Sequence, residues 1–204
     1  GVADLLDMAE LQARRIIAAI PDGTYSYTDY LDEDSPGGLP ARLHLDLTIR
    51  GEEAVMDFSG SDPQLAASLN NLGVALTRLG RADEAAPVTE EALRIALAQS
   101  GERSPLAVTV RTSLAETWVG AGRIADADAM AQAALDIAQS GYAANKLLLG
   151  STYRARARVR HAQGRSADAR RDVEQAVALF GAAGKGGEGY LRLIEPLRRE
   201  IEAQ

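Results

Sequence analysis

The spacing of apolar positions changes its period once along this chain, near residue 64. In residues 4–20, Leu5, Met8, Leu11, Ile16 and Ala19 recur at roughly helical intervals, which predicts an amphipathic helix. Pro21-Asp22-Gly23 stops it, because proline cannot continue the hydrogen-bond ladder and glycine supplies turn geometry. Residues 24–30 are rich in β-branched and aromatic side chains and read as a strand. Residues 32–40 form an acidic loop around Pro36-Gly37-Gly38. Residues 42–50 alternate: Leu43, Leu45, Leu47 and Ile49 face one way, and Arg42, His44, Asp46, Thr48 and Arg50 the other. That is the signature of a half-buried strand. Gly51-Glu52 suits a hairpin turn and residues 54–59 the return strand. Residues 1–64 therefore read as one domain, a small α+β unit made of a helix and a three-stranded antiparallel meander.

Residues 65–204 read as helical throughout, and they repeat. Gly80-Arg81-Ala82-Asp83-Glu84-Ala85 recurs as Gly122-Arg123-Ile124-Ala125-Asp126-Ala127 and again as Gly164-Arg165-Ser166-Ala167-Asp168-Ala169, each copy 42 residues after the last. An apolar helical stretch flanks each turn on both sides, so each copy is a helix-turn-helix hairpin. The glycine permits a left-handed cap on the first helix. The acid that follows sits in the first turn of the second helix, where the dipole favours it. Ala85, Ala92, Ala127, Ala134, Ala169 and Ala176, seven apart within each copy, let helices approach closely. Tyr190, Ile194, Leu197 and Ile201 form one more apolar stripe, a final helix that Glu195-Pro196 is expected to kink or restart. The fold class is mostly α: three hairpins and a terminal helix, preceded by the α+β unit.

Composition narrows the chemistry. The chain has 204 residues, 29 acids, 22 bases, two histidines and no cysteine. Disulfides, thiol catalysis and multi-histidine metal sites are thereby excluded. No apolar run approaches the ~20 residues of a membrane span, so no membrane association and a cytoplasmic location are expected. The charge is divided: residues 1–64 carry 13 acids and 4 bases, residues 65–204 carry 16 acids and 18 bases. Such asymmetry suggests two units of different origin.

Leu69-x-x-Leu72-Gly73-x-x-Leu76, followed by Gly80, Ala85 and Ala92, resembles a tetratricopeptide repeat. The ordinary repeat has ~34 residues. The 42-residue form, Ser68-Leu69-Asn70-Asn71-Leu72-Gly73, and the Gly101-Glu102-Arg103-Ser104-Pro105 link resemble the kinesin-light-chain type, over roughly residues 65–182. The third copy departs from the pattern. Arg156 and Arg160 stand where the first copy has Leu72 and Leu76, so that copy is either degenerate or rotated to expose them. The final helix is similar to the solvating cap of repeat arrays. The first part carries a second resemblance. Arg15-Ile16-Ile17-Ala18-Ala19-Ile20-Pro21-Asp22-Gly23-Thr24-Tyr25, Asp29-Tyr30-Leu31-Asp32, the alternating strand and Met56-Asp57-Phe58-Ser59-Gly60-Ser61-Asp62-Pro63-Gln64 resemble a fragment of the hydantoinase B/oxoprolinase family. That resemblance implies action on cyclic amides such as hydantoins or 5-oxoproline, often with a partner subunit. It covers only residues 4–64, while the family's catalytic chains are several times longer.

Several clusters invite a functional reading. Ser59 and Ser61 stand beside Asp57 and Asp62, but a serine nucleophile needs a base, and His44 is the only candidate nearby. Asp62-Pro63 suits a helix N-terminus instead. Asp32-Glu33-Asp34 lacks the spacing of a calcium loop. Gly184-Lys185-Gly186-Gly187 lacks the strand and the following Ser or Thr of a phosphate loop, and reads as a flexible link. Neither a metal nor a cofactor is expected. The third copy concentrates arginine, with Arg154 and Arg158 four apart and His161 beside them. The tetratricopeptide resemblance implies that such positions line a concave groove. The expected peptide-binding residues are Asn70, Asn71, Arg78, Arg154, Arg158 and His161, which would hold a protein or peptide partner, acidic in character. Simple solvation of the arginines and docking within or between chains are the competing readings. Nucleic acid is not expected, because the patch lacks interleaved aromatics. Trp118 reads as core. Exposed strand edges in the β unit point either to packing on the first repeat or to association, including self-association. The leading expectation is a noncatalytic interaction scaffold; the rival is a cyclic-amide hydrolase, or a fragment or subunit of one.

Overall fold

The computed structural model describes residues 2–31, 41–61 and 63–203. The acidic loop, with Asp32-Glu33-Asp34, and the capping role of Asp62 lie outside the described residues. The chain divides into two compact units, Gly1–Leu65 and Ala66–Gln204.

In the first unit, α1 (Val2–Ala18) precedes β1 (Gly23–Leu31), β2 (Ala41–Arg50) and β3 (Glu53–Asp57). The strands form an antiparallel sheet in the order β1-β2-β3. Tyr27 pairs with Leu45, and Leu47 lies between Tyr25 and Met56. Gly51 turns the β2–β3 hairpin with φ 58°, a conformation glycine adopts without a Cβ penalty. The Asp22 carboxylate ties that turn to the start of β1 by accepting from the Gly51 N–H at 2.8 Å. Ile49 is buried, as the alternation implies. The stripe on α1 is not: Met8, Leu11 and Ile16 are 61%, 51% and 68% exposed. One helix and three strands have too little surface to cover two apolar faces, so the periodicity marks a face that this unit leaves open.

The second unit contains α2 (Pro63–Arg78), α3 (Ala82–Ser100), α4 (Pro105–Gly120), α5 (Ile124–Gly141), α6 (Lys146–Ala162), α7 (Ser166–Ala182) and α8 (Glu188–Glu202). The leading helices α2, α4, α6 and α8 start 42, 41 and 42 residues apart, so α8 takes the place of a fourth leading helix. Gly80, Gly122 and Gly164 have φ of 75°, 75° and 74°. Each hairpin turn closes with the same pair of bonds. The Arg81, Arg123 and Arg165 N–H groups donate to the carbonyls of Leu76, Trp118 and Arg160, and the glycine N–H groups donate to those of Thr77, Val119 and His161. This satisfies carbonyls that the helix end would otherwise strand. Each arginine then ion-pairs with the acid three residues on: Glu84, Asp126 or Asp168. Ser104 and Asn145 cap α4 and α6, accepting from the Ala107 and Leu148 N–H groups at 3.1 Å.

The six alanines of the repeat are all fully buried. Gly73 belongs to the same seam, since a Cβ there would lie 2.1 Å from Thr89 Oγ1. Trp118 is buried, donates from Nε1 to Glu90 at 2.9 Å and carries the Arg123 guanidinium 4.4 Å over its ring. At the C-terminal end, Ile194, Leu197 and Ile201 of α8 pack with Ala157, Val173, Ala176 and Phe180.

Three expectations need correction here. Arg156 and Arg160 are neither rotated outward nor signs of a degenerate hairpin. Both are largely buried and clamp Asp172 on α7, Arg156 through two bonds of 2.9 and 2.8 Å and Arg160 through one of 2.8 Å. The equivalent positions are Leu72, Leu76 and Val88 in the first hairpin and Leu114, Trp118 and Met130 in the second. Three apolar residues have been exchanged together for two arginines and an aspartate whose charges answer one another. Residues 184–187 are not a flexible link: Gly184–Gly187 forms a 3-10 turn, with Gly187 buried against the Phe180 backbone. Finally, α8 runs unbroken through Pro196. The proline removes the N–H that would bond the Arg192 carbonyl, and the apolar stripe on Phe180 and its neighbours holds the helix across that gap.

Candidate functional site

The leading helices of the second unit bring one polar groove together. It has a volume of about 420 Å³ and is lined by Val74, Thr77 and Arg78 of α2, Ser113, Glu116 and Thr117 of α4, Arg154 and Arg158 of α6, and Leu193 and Pro196 of α8. Helical periodicity explains the set, since positions three and four apart share a face. The 42-residue register explains the rest, because Val74, Glu116 and Arg158 are equivalent positions.

The charges in the groove are unequal. Three arginines face a single carboxylate. Arg154 Nη2 lies 3.0 Å from Glu116 Oε1, and both side chains are about four-fifths buried. The pair is close but misaligned for hydrogen bonding: Glu116 Oε1 and Arg154 Nε are buried with no hydrogen-bond partner. Among the described residues, Arg78 and Arg158 make no ion pair or hydrogen bond, so two cations stay uncompensated at the groove wall. The Thr77 and Thr117 hydroxyls meet at 2.9 Å and bridge α2 to α4 across the floor.

Of the six residues expected from the sequence, the groove gathers Arg78, Arg154 and Arg158. Asn70, Asn71 and His161 are not among its lining. Asn70 is buried with its Oδ1 unpartnered, Asn71 is exposed, and His161 has a buried, unpartnered Nδ1. Glu116 follows from its groove position in the second copy, and Val74 was findable by stepping 84 residues back from Arg158. Leu193 and Pro196 were not, because the α8 sequence does not carry the repeat.

In the first unit, the serines beside aspartate are structural. The Ser61 hydroxyl is buried, accepts from the His44 N–H at 2.8 Å and donates to the His44 carbonyl at 3.0 Å. The His44 ring belongs instead to a cross-strand polar ladder, with Thr28 Oγ1 2.7 Å from Nδ1 and Asp46 Oδ1 3.4 Å from Nε2. Gly60 packs on that ring so tightly that a Cβ would lie 2.4 Å from Cδ2. Among the described residues no group of three His, Asp or Glu is placed to hold a metal ion, and no helix is long and apolar enough to cross a membrane.

Residues 1–82 match the hydantoinase B/oxoprolinase family, and residues 64–140 match the tetratricopeptide repeat family. The second match ends before the hairpin in which Arg156, Arg160 and Asp172 replace apolar residues. No curated protein matches the chain. The tetratricopeptide match, on a helical array of this construction, supports a protein-interaction repeat scaffold.

Proposed function

We propose that the array binds an acidic peptide segment of a partner protein in its concave groove and does no chemistry of its own. One observation carries this reading: Arg78 and Arg158 line the groove with no ion-pair partner among the described residues. Arg78 is exposed and Arg158 half-buried, so both guanidinium groups are open to a partner, and guanidinium matches carboxylate in geometry as well as charge. Arg154, already held by Glu116, would serve as a positioned second contact. Asn71, which is exposed, would meet a peptide that runs beyond the groove, whereas the unpartnered Asn70 Oδ1 and His161 Nδ1 are buried beneath the surface. The reading supports a protein partner over nucleic acid, for which the groove lining supplies no aromatic platform.

The test is a fluorescence-polarisation titration of a glutamate-rich peptide against wild type and Arg78→Glu/Arg158→Glu. Loss of at least tenfold in affinity is expected, together with weaker wild-type binding as salt rises. Equal binding by both proteins would remove the groove assignment.

A second reading is favoured by the match of residues 1–82: a cyclic-amide hydrolase of the hydantoinase B/oxoprolinase type, or a fragment or subunit of one. Turnover of hydantoin or 5-oxoproline, alone or with a partner subunit, would establish it over the scaffold reading. Self-association through the β unit also belongs to the proposed scaffold, since it would present two grooves in one assembly.

A further inference from the structure

The two edges of the sheet are guarded differently. β3 is five residues long and begins and ends on an acid, Glu53 and Asp57, with Glu52 beside it. Charge at an edge is a common device against pairing with another chain. β1 is nine residues long and carries few of the usual devices. It has no proline, no lysine and one acid, Asp29. Its pairing to β2 is continuous from Gly23 to Leu31, with no bulge to twist the edge away. Residues 23–29 are all exposed, and Tyr27 is 62% exposed.

We infer that β1 is a self-pairing edge, and that two copies of the chain join through antiparallel β1–β1′ pairing centred on Tyr27 into a six-stranded sheet. The inference rests on the self-association part of the proposed scaffold and is independent of the groove. A nine-residue strand pairs along its whole length with its own twin in only one antiparallel register, the one with the middle residue on the two-fold axis; for Gly23–Leu31 that residue is Tyr27. This register sets Ser26 against Thr28′ and Tyr25 against Asp29′, so no like charges stand opposite one another. In this register the edge is complementary to its own sequence, so a second copy satisfies it along its whole length.

The absence of cysteine allows a clean test on the full chain. Tyr27→Cys and Thr24→Cys are oxidised separately, and wild type and Tyr27→Lys are measured by light scattering across concentration and salt. Across the axis, position 27 meets its twin at about 5 Å between Cα atoms, whereas position 24 is about 20 Å from its own. A wild-type dimer strengthened by salt, a disulfide from Tyr27→Cys but not from Thr24→Cys, and at least tenfold weaker dimerisation of Tyr27→Lys are expected. Salt strengthens this association because both partners are acidic. A monomer under every condition would overturn both the self-association reading and this inference. A dimer in which the Tyr27→Cys variant fails to link, or the Thr24→Cys variant does link, would overturn the inference alone and place self-association elsewhere.

Discussion

Asp172 and the two arginines that hold it are the place where single residues carry most information about this array. A buried carboxylate gripped by two guanidinium groups is neutral in effect only while all three are present. Asp172→Ala is expected to destabilise the second unit by about 3 kcal/mol, because it strands two largely buried arginines. Replacing the trio with the residues of the second hairpin, Arg156→Leu, Arg160→Trp and Asp172→Met, is expected to restore stability to near wild type or above. Urea denaturation of each protein, followed by far-ultraviolet circular dichroism, measures both effects. A mild effect of Asp172→Ala, or a triple variant no better than it, would show that the trio is not a compensated exchange. The sequence displays the three substitutions, but their mutual pairing becomes visible only when α6 and α7 are aligned by the repeat. A reading helix by helix sees two misplaced arginines.

Among the elements, the hairpin turn was the most legible. A glycine that must take positive φ, an arginine and an acid at fixed offsets are local chemistry, and local chemistry is written in adjacent residues. Gly122→Ala is expected to cost about 1 kcal/mol through left-handed strain alone, since nothing lies within 4 Å of the Cβ it would add. Gly73→Ala is expected to cost more, because its Cβ would strike Thr89 within the packed seam. Thermal melts of the two variants rank them, and the reverse order would contradict the seam. The Arg–acid clasp also has a pH signature. The Arg81 side chain donates to Glu84 and the Arg165 side chain donates to Asp168, which holds both carboxyls below the ordinary carboxylate range. A lowered folded value contributes stability above the ordinary carboxylate value, and that contribution is lost as pH falls through the lowered one. Both pairs are exposed, so the effect is small. Glu84→Gln/Asp168→Asn should therefore melt slightly below wild type at neutral pH and level with it in strong acid. The course of α8 was less legible: a proline inside a short helix argues for a break, and the packing of Ile194, Leu197 and Ile201 keeps it continuous.

At the scale of the whole molecule, the change of hydrophobic period and the charge division both pointed to two units, because each unit's core is built from its own periodicity. What periodicity could not report is whether an apolar face finds a cover. The α1 stripe predicts burial, and the described structure leaves Met8, Leu11 and Ile16 exposed. The candidate groove was half legible for a related reason. Arginines are conspicuous in sequence, whereas Thr77 and Ser113 become site residues only through the stacking of successive hairpins, and Leu193 and Pro196 only through the placement of α8. Expectation at Asn70, Asn71 and His161 followed the face of a helix, while the groove follows the curvature of the array. We propose that this groove, where Arg78 and Arg158 find no ion-pair partner among the described residues, binds a partner's acidic segment. Chemical-shift mapping of the full chain with an unlabelled glutamate-rich peptide tests it most directly. The account expects saturable shifts concentrated on residues 74–78, 113–117, 154–158 and 193–196; saturable shifts confined to other surfaces, or none at all, would contradict it.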